Sequence, residues 1–145
     1  MVEQHRFAVK VIHLSRAWRS ELDRRFADKG LSQARWLVLL HLGHYGDEPP
    51  TQRELANSVG IESPTLARTL DALEQAGFVV RQPCQNDRRV NKVLLTDQAR
   101  QVVGELEDAA SRLRSEIFSG TSMEEVDHCQ RLLEKMLHNI SRVSS

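Results

Sequence analysis

Apolar side chains recur at three- and four-residue steps toward both ends of the chain, which is the period of an α-helix. Phe7, Val11, Leu14, Trp18, Leu22 and Phe26 follow it and predict a long amphipathic helix from about residue 4 to 29. After Gly30, Ser32 caps a second helix that carries Trp36, Leu39 and Leu40 and ends near Gly46. Thr96 caps a further long helix with Val102, Leu106, Ala109, Leu113 and Ile117, closed by Ser119-Gly120-Thr121. Ser122 with Glu125 forms a capping box, and the helix it opens holds Val126, Leu133, Met136, Leu137 and Ile140. These terminal helices carry more apolar surface than a small central motif can cover. A second copy of the chain is the expected cover, giving a homodimer built from both chain ends.

Between the helical ends, Thr51 to Leu95 packs two short capped helices, a turn glycine and a basic hairpin into one run. Leu55, Ala56, Val59, Gly60, Ile61 and Leu66 fall where two helices need them to pack across a tight turn. Thr51 with Glu54 is a capping box, and Ser63 before Pro64 reads as an N-cap with proline at the first helical position. On the second helix Leu66, Leu70 and Leu73 form one apolar face, while Thr65, Arg68, Thr69 and Ala72 share another. That second face is small, polar and nearly flat, with one long cation, which suits entry into a major groove about 12 Å wide. Gly77 ends the helix, and the β-branched content of residues 78–82 and 90–95 predicts two strands. The tip between them carries Arg88 and Arg89, flanked by Arg81 and Lys92, so residues 78–93 hold four positive charges against one negative. Asp87 stands two residues before Arg89 and is placed to brace its guanidinium. The run predicts a winged helix-turn-helix, in a fold that is mainly α with a small β wing, gripping double-stranded DNA through Ser63, Pro64, Thr65, Arg68, Thr69, Arg81, Asp87, Arg88 and Arg89.

Composition sharpens this picture. The 145 residues are one domain's length, and the formal net charge is zero. Charge is nonetheless unevenly placed: residues 97–145 carry six basic and nine acidic side chains, against eight and six in 1–50 and six and five in 51–96. Acid therefore concentrates away from the predicted DNA face. Only four of the twenty cations are lysine, an arginine bias that suits bidentate phosphate and guanine contacts. No apolar run approaches the ~18 residues of a membrane span, and Arg6, Lys10 and His13 interrupt any signal-peptide core. A soluble cytoplasmic protein without a membrane partner is expected. Cys84 and Cys129 lie far apart, without metal or redox spacing, and are expected to be reduced thiols.

Enzyme chemistry has no framework here. The six histidines, His5, His13, His41, His44, His128 and His138, are joined by no glycine-rich phosphate loop, nucleophile elbow or zinc-protease motif. No cofactor, metal site or catalytic residue is expected. Two other readings stay open: a redox-responsive DNA-binding regulator acting through Cys84, and a helical protein-interaction module without specific DNA binding.

With six helices and a wing between the fourth and fifth, nearly the whole chain resembles the MarR family of bacterial transcriptional regulators, most closely its SlyA branch. The resemblance is carried by Ile61-Glu62-Ser63-Pro64-Thr65-Leu66-Ala67-Arg68-Thr69-Leu70 and by the wing tip Asn86-Asp87-Arg88-Arg89, with Trp18-Arg19, Trp36 and the Cys84 position in support. It implies one domain over residues 1–145. About 32–95 would be the DNA lobe, and about 4–29 and 97–143 a helical dimerisation lobe. It further implies that Pro64, Thr65 and Arg68 sit in the major groove, that Arg88 and Arg89 serve the wing, and that Arg89 enters the minor groove. A dimer on a pseudo-palindromic, AT-rich operator follows, acting as repressor or as an activator that displaces other DNA-bound proteins.

The family often takes small aromatic acids in a crevice between the dimer helices and the DNA lobe. Arg16, Arg19, Trp36 and His41 come from the two helices that would line it, and an arginine beside an indole suits a planar carboxylate. Peroxide-sensing members carry a cysteine near the start of the first helix, where this chain has none before Cys84. Zinc-sensing members carry histidines on the fifth helix, where residues 97–120 contain none.

Overall fold

The computed structural model describes residues 1–144. In chain order they form α1 (Val2–Arg25), a 3₁₀ turn (Ala27–Lys29), α2 (Gln33–Gly43), α3 (Gln52–Val59), α4 (Ser63–Gln75), β1 (Val79–Pro83), β2 (Asn91–Leu95), α5 (Asp97–Ile117) and α6 (Met123–Val143). The predicted architecture, mainly helical with one small β wing, is the one observed. The chain divides into two compact units, Met1–Ser111 and the remainder from Arg112.

The core of the first unit is built around α2, whose Trp36, Val38, Leu39, Leu40 and Leu42 are all buried. A short helix buried on nearly every side belongs at the centre of its lobe, and α2 packs against α3, α4 and β2. Leu55, Ala56 and Val59 of α3 meet Leu66, Leu70 and Leu73 of α4 in the same core. Burial of each large aliphatic side chain contributes about 1.5–3 kcal/mol.

Local signals set most of the boundaries. Thr51 Oγ1 accepts the Glu54 N–H at 3.1 Å while the Glu54 carboxylate accepts the Thr51 N–H at 3.0 Å, closing the predicted capping box of α3. Ser122 and Glu125 do the same at α6, both at 3.1 Å. Ser32 caps α2 through the Arg35 N–H at 3.4 Å. Gly60 turns the chain between α3 and α4 with φ 81°, a left-handed conformation that costs glycine little.

Two boundaries differ from expectation. The first helix ends at Arg25 rather than near 29, because Phe26 adopts φ −95° and ψ 4° and a tight 3₁₀ turn follows. This turn delivers the Phe26 ring to the core, 1% exposed and edge-on to Trp36 at 5.0 Å. At α4 the cap is Glu62, not Ser63: the Glu62 carbonyl already accepts the Leu66 N–H at 3.0 Å, so Ser63 lies inside the helix. Proline is tolerated in either slot because the first-turn N–H groups have no intrahelical partner.

The wing pairs β1 and β2 antiparallel, with Val79 opposite Leu95, Arg81 opposite Val93 and Pro83 opposite Asn91. Val79 and Val93 turn inward, and the Val93 N–H donates to the Pro50 carbonyl at 2.9 Å, tying the hairpin base to the loop before α3. Thr96 closes the far side. Its hydroxyl donates to the Gly77 carbonyl at 2.7 Å and accepts the Ala99 N–H at 3.2 Å as the cap of α5, while its own N–H donates to the Phe78 carbonyl at 3.1 Å.

Gly43 is a close approach of α2 to α5. A Cβ built there would lie 2.7 Å from Val103 Cγ1. Val103 is buried and β-branched, so it cannot swing aside. Gly43→Ala gains about 1 kcal/mol of helix propensity but overpacks the contact by about 1–3 kcal/mol. The expected result is a lower thermal midpoint, restored when Val103→Ala is added. A neutral or raised midpoint in the single variant overturns the close-approach account.

Candidate nucleic-acid interface

Helix α4 presents its outer face as the sequence predicts. Leu66, Leu70 and Leu73 have no exposed surface, whereas Ser63, Pro64, Thr65 and Arg68 are exposed. Arg68 makes no ion pair among the described residues, so its guanidinium is available to a base edge or a phosphate. Thr69 is half-buried and donates its hydroxyl to the Thr65 carbonyl at 3.1 Å. It therefore offers a methyl group and an acceptor, but no donor, to anything that approaches. The helix start has no side-chain cap, which leaves first-turn N–H groups pointing outward at the positive end of the helix dipole.

At the wing tip the Cys84 N–H donates to the Val90 carbonyl at 2.7 Å and the Val90 N–H to the Asp87 carbonyl at 3.0 Å, which closes the loop. Asp87 then holds Arg89 at three points: Oδ1 accepts the backbone N–H at 3.0 Å and Nε–H at 3.1 Å, and Oδ2 accepts Nη2–H at 3.3 Å. The Arg89 guanidinium beside Asp87 keeps that carboxyl below its ordinary range. Although braced, the Arg89 side chain is 91% exposed. Arg88 is exposed next to it and unpaired among the described residues.

Arg81 departs from the expectation that it faces DNA. Its side chain is only 20% exposed and folds back onto α4, with Nη2 donating to Asp71 Oδ1 at 2.6 Å and to Glu74 Oε1 at 3.0 Å. Its backbone N–H donates to Glu74 Oε2 at 3.1 Å. These bonds lower the Glu74 carboxyl and raise Arg81 above its ordinary value. An acidic pair three residues apart on α4, seven residues before an arginine on the next strand, is the signal that sequence reasoning passed over.

The expected aromatic-acid site is brought together only in part. Trp36 has no exposed surface and its indole N–H donates to Asp23 Oδ1 at 2.9 Å, so it is a core residue and not available to a ligand. Arg16 and Arg19 are exposed on α1. His41 is half-buried on α2, with Nδ1 3.0 Å from Ser58 Oγ. Burial pushes the His41 imidazole down, and the His44 and Arg19 charges push it the same way. A cleft of about 300 Å³ also opens between α2 and α5, lined by Leu40, Gly43, Val103 and Gly104 together with Arg100, His44 and Glu107. Its polar rim pairs His44 Nε2 with Glu107 Oε2 at 3.1 Å. Sequence reasoning missed this cleft, although two glycines beside aliphatic positions were its trace. No cluster of metal-ligating side chains exists among the described residues.

A capped two-helix unit, an outward cationic face on its second helix and a braced arginine on an adjoining hairpin define a winged helix-turn-helix regulator. The model of the MarR family matches residues 31–90. Transcriptional regulator PA3341 shares 47% sequence identity over 94% of this chain and 98% of its own, with a TM-score of 0.86. The chain belongs to the MarR family of DNA-binding transcriptional regulators. In fold it is also similar to the transcriptional regulator SlyA, at 20% identity over 94% of each chain and a TM-score of 0.81. The same holds for NadR, crystallised in complex with 4-hydroxyphenylacetate, at 23% identity over 88% of this chain and 89% of that one, with a TM-score of 0.78.

Proposed function

We propose that this protein is a homodimeric regulator that binds a pseudo-palindromic, AT-rich operator in double-stranded DNA, with the first turns of α4 in the major groove and Arg89 in the minor groove. The observation that carries the reading is Arg89 itself, braced at its base by Asp87 and exposed at its end beside the unpaired Arg88. A preordered guanidinium loses less freedom on entering a groove than a mobile one. Ser63, Pro64, Thr65, Arg68 and Thr69 supply the helix contacts. The DNA lobe then spans about residues 32–95, and the helices of about 4–29 and 97–143 form the dimerisation lobe. No helix among the described residues is long and apolar enough to cross a membrane, in keeping with a cytoplasmic regulator.

A small aromatic carboxylate is the effector class the chain suits best, with Arg16, Arg19 and His41 as its polar contacts. The 4-hydroxyphenylacetate held by NadR, a protein of the same fold, supports that class.

Genomic footprinting in the host, followed by salt titrations on a recovered site and a scrambled duplex, tests the reading. Tight, salt-dependent preference for inverted repeats is expected, and equal affinity for both duplexes overturns it. The wing has its own signature. A minor-groove arginine gains most where A-tracts narrow the groove and deepen its negative potential. Arg89→Ala should therefore lose more affinity on an operator with A-tracts at the wing position than on one carrying G·C there. Arg89→Lys should recover charge without the full preference, because ammonium is more strongly hydrated than guanidinium. Equal losses on both operators reduce the wing to a phosphate clamp.

A further inference from the structure

We propose that Arg81 is the positioning residue of the DNA interface: by clasping Asp71 and Glu74 it fixes the wing to the recognition helix and so sets how sharply the protein separates one DNA sequence from another. The inference rests on the DNA-binding reading above. Arg81 lies midway along β1 opposite Val93, in the hairpin that carries Arg88 and Arg89. Asp71 lies one turn beyond Arg68 on α4, and Glu74 one turn further. One residue thus bridges the two elements that would enter different grooves.

The clasp is stiff for its size. Both Glu74 carboxylate oxygens bond Arg81, one to the guanidinium at 3.0 Å and the other to the backbone N–H at 3.1 Å, and Asp71 takes a third bond at 2.6 Å. A bond to the backbone fixes the strand itself and not only its side chain. β1 runs two residues beyond Arg81, about 7 Å at about 3.3 Å per residue, before the closed loop that carries Arg88 and Arg89 begins. A tilt of β1 at Arg81 is therefore carried through the closed loop to Arg88 and Arg89. Loosening the clasp therefore blurs where the wing meets the DNA.

The clasp also shapes the charge of the DNA face. Without Arg81, Asp71 and Glu74 would leave two uncompensated carboxylates on the helix that carries Arg68. Shielding alone predicts a sequence-independent effect, because phosphates repel the carboxylates whatever bases they join. Positioning predicts a sequence-dependent one. The two are separable by neutralising the acids.

The experiment titrates the full-length protein against its operator and a scrambled duplex of equal length over a salt series. It uses Arg81→Ala, Arg81→Lys, and Arg81→Ala combined with Asp71→Asn and Glu74→Gln, with hydroxyl-radical footprints of the wing position. Arg81→Ala is expected to weaken operator binding about tenfold, the size of a contact-network coupling, while scrambled-duplex binding falls much less. The salt slope should stay unchanged and the wing footprint should fade. The neutralised triple variant should recover scrambled binding but not the operator preference. Arg81→Lys should recover the preference in part, since one ammonium cannot span both carboxylates with a fork, and it serves as the folded comparison if the alanine variant unfolds. Equal loss on both duplexes with a slope lowered by about one would make Arg81 a phosphate contact and overturn the proposal. Full recovery of preference in the triple variant would reduce Arg81 to a charge shield and overturn it equally. A wild-type protein without operator preference overturns the DNA-binding reading first, and the clasp with it.

Discussion

Replacing Leu137 or Ile140 with glutamate is expected to split the protein into monomers and to remove most of its operator affinity. Within α6, Leu137 is 66%, Ile140 60% and Val143 85% exposed, with Leu132 and Leu133 beside them. On α1, Phe7, Val11, Ile12 and Leu14 are likewise exposed. Such rows of aliphatic surface mark an interaction face, and scattered single residues do not produce them. In a two-fold interface every contact occurs twice, residue i against j and j against i, so one substitution places two carboxylates at the interface. The cost on DNA follows from geometry, because two half-sites joined in one dimer bind with an avidity about 10²–10⁴ above that of one alone. Analytical ultracentrifugation with parallel operator titrations reads both effects. A wild type that sediments as a monomer at micromolar concentration, or a variant that stays dimeric with undiminished affinity, overturns the dimer.

Arg68→Ala should give the second largest loss, about 1–3 kcal/mol on the specific operator if the guanidinium makes a bidentate contact to a guanine edge. Relaxed preference at one base pair should accompany it, because Arg68 is the one cationic side chain of α4. If Arg68 binds phosphate instead, the loss is spread over all sequences and the salt slope falls by about one. Arg68→Lys separates the cases, as lysine replaces a phosphate contact better than a bidentate one. Unchanged affinity and slope in the alanine variant would take α4 out of the groove.

What the sequence made legible was local. Thr51 with Glu54 and Ser122 with Glu125 carry their own partners three residues away, so each box could be read without knowing the fold. The bracing of Arg89 by Asp87 spans two residues and was equally open to view. Leu66, Leu70 and Leu73 set the buried side of α4 by periodicity, which left Arg68 on the outside by subtraction. Failures came where the partner was distant or the choice was a single position. An indole near arginines suits a carboxylate, so the sequence by itself points Trp36 to a ligand site. Its true partners, Asp23 and the Phe26 ring, come from α1 and the turn after it. Arg81 was assigned to DNA because a cation on a basic hairpin resembles its neighbours, and only the packing of β1 against α4 reveals the acids that hold it. The cap at Glu62 instead of Ser63 is a one-residue shift that propensity alone does not resolve, since Pro64 is acceptable in either frame.

Thr96 carries a consequence for the speed of regulation. Its hydroxyl joins the last carbonyl beyond α4 to the first turn of α5 with no intervening loop. A multi-residue linker would absorb a small rotation of α5 as torsional slack, whereas this joint hands it on to the end of the recognition helix. A shift in α5 would therefore reach the residues that end α4 through this bond, without melting any element. Helix displacements of that kind relax in microseconds to milliseconds, faster than local unfolding at its slow end. Under the effector control proposed above, operator release by this route would need no refolding of either helix.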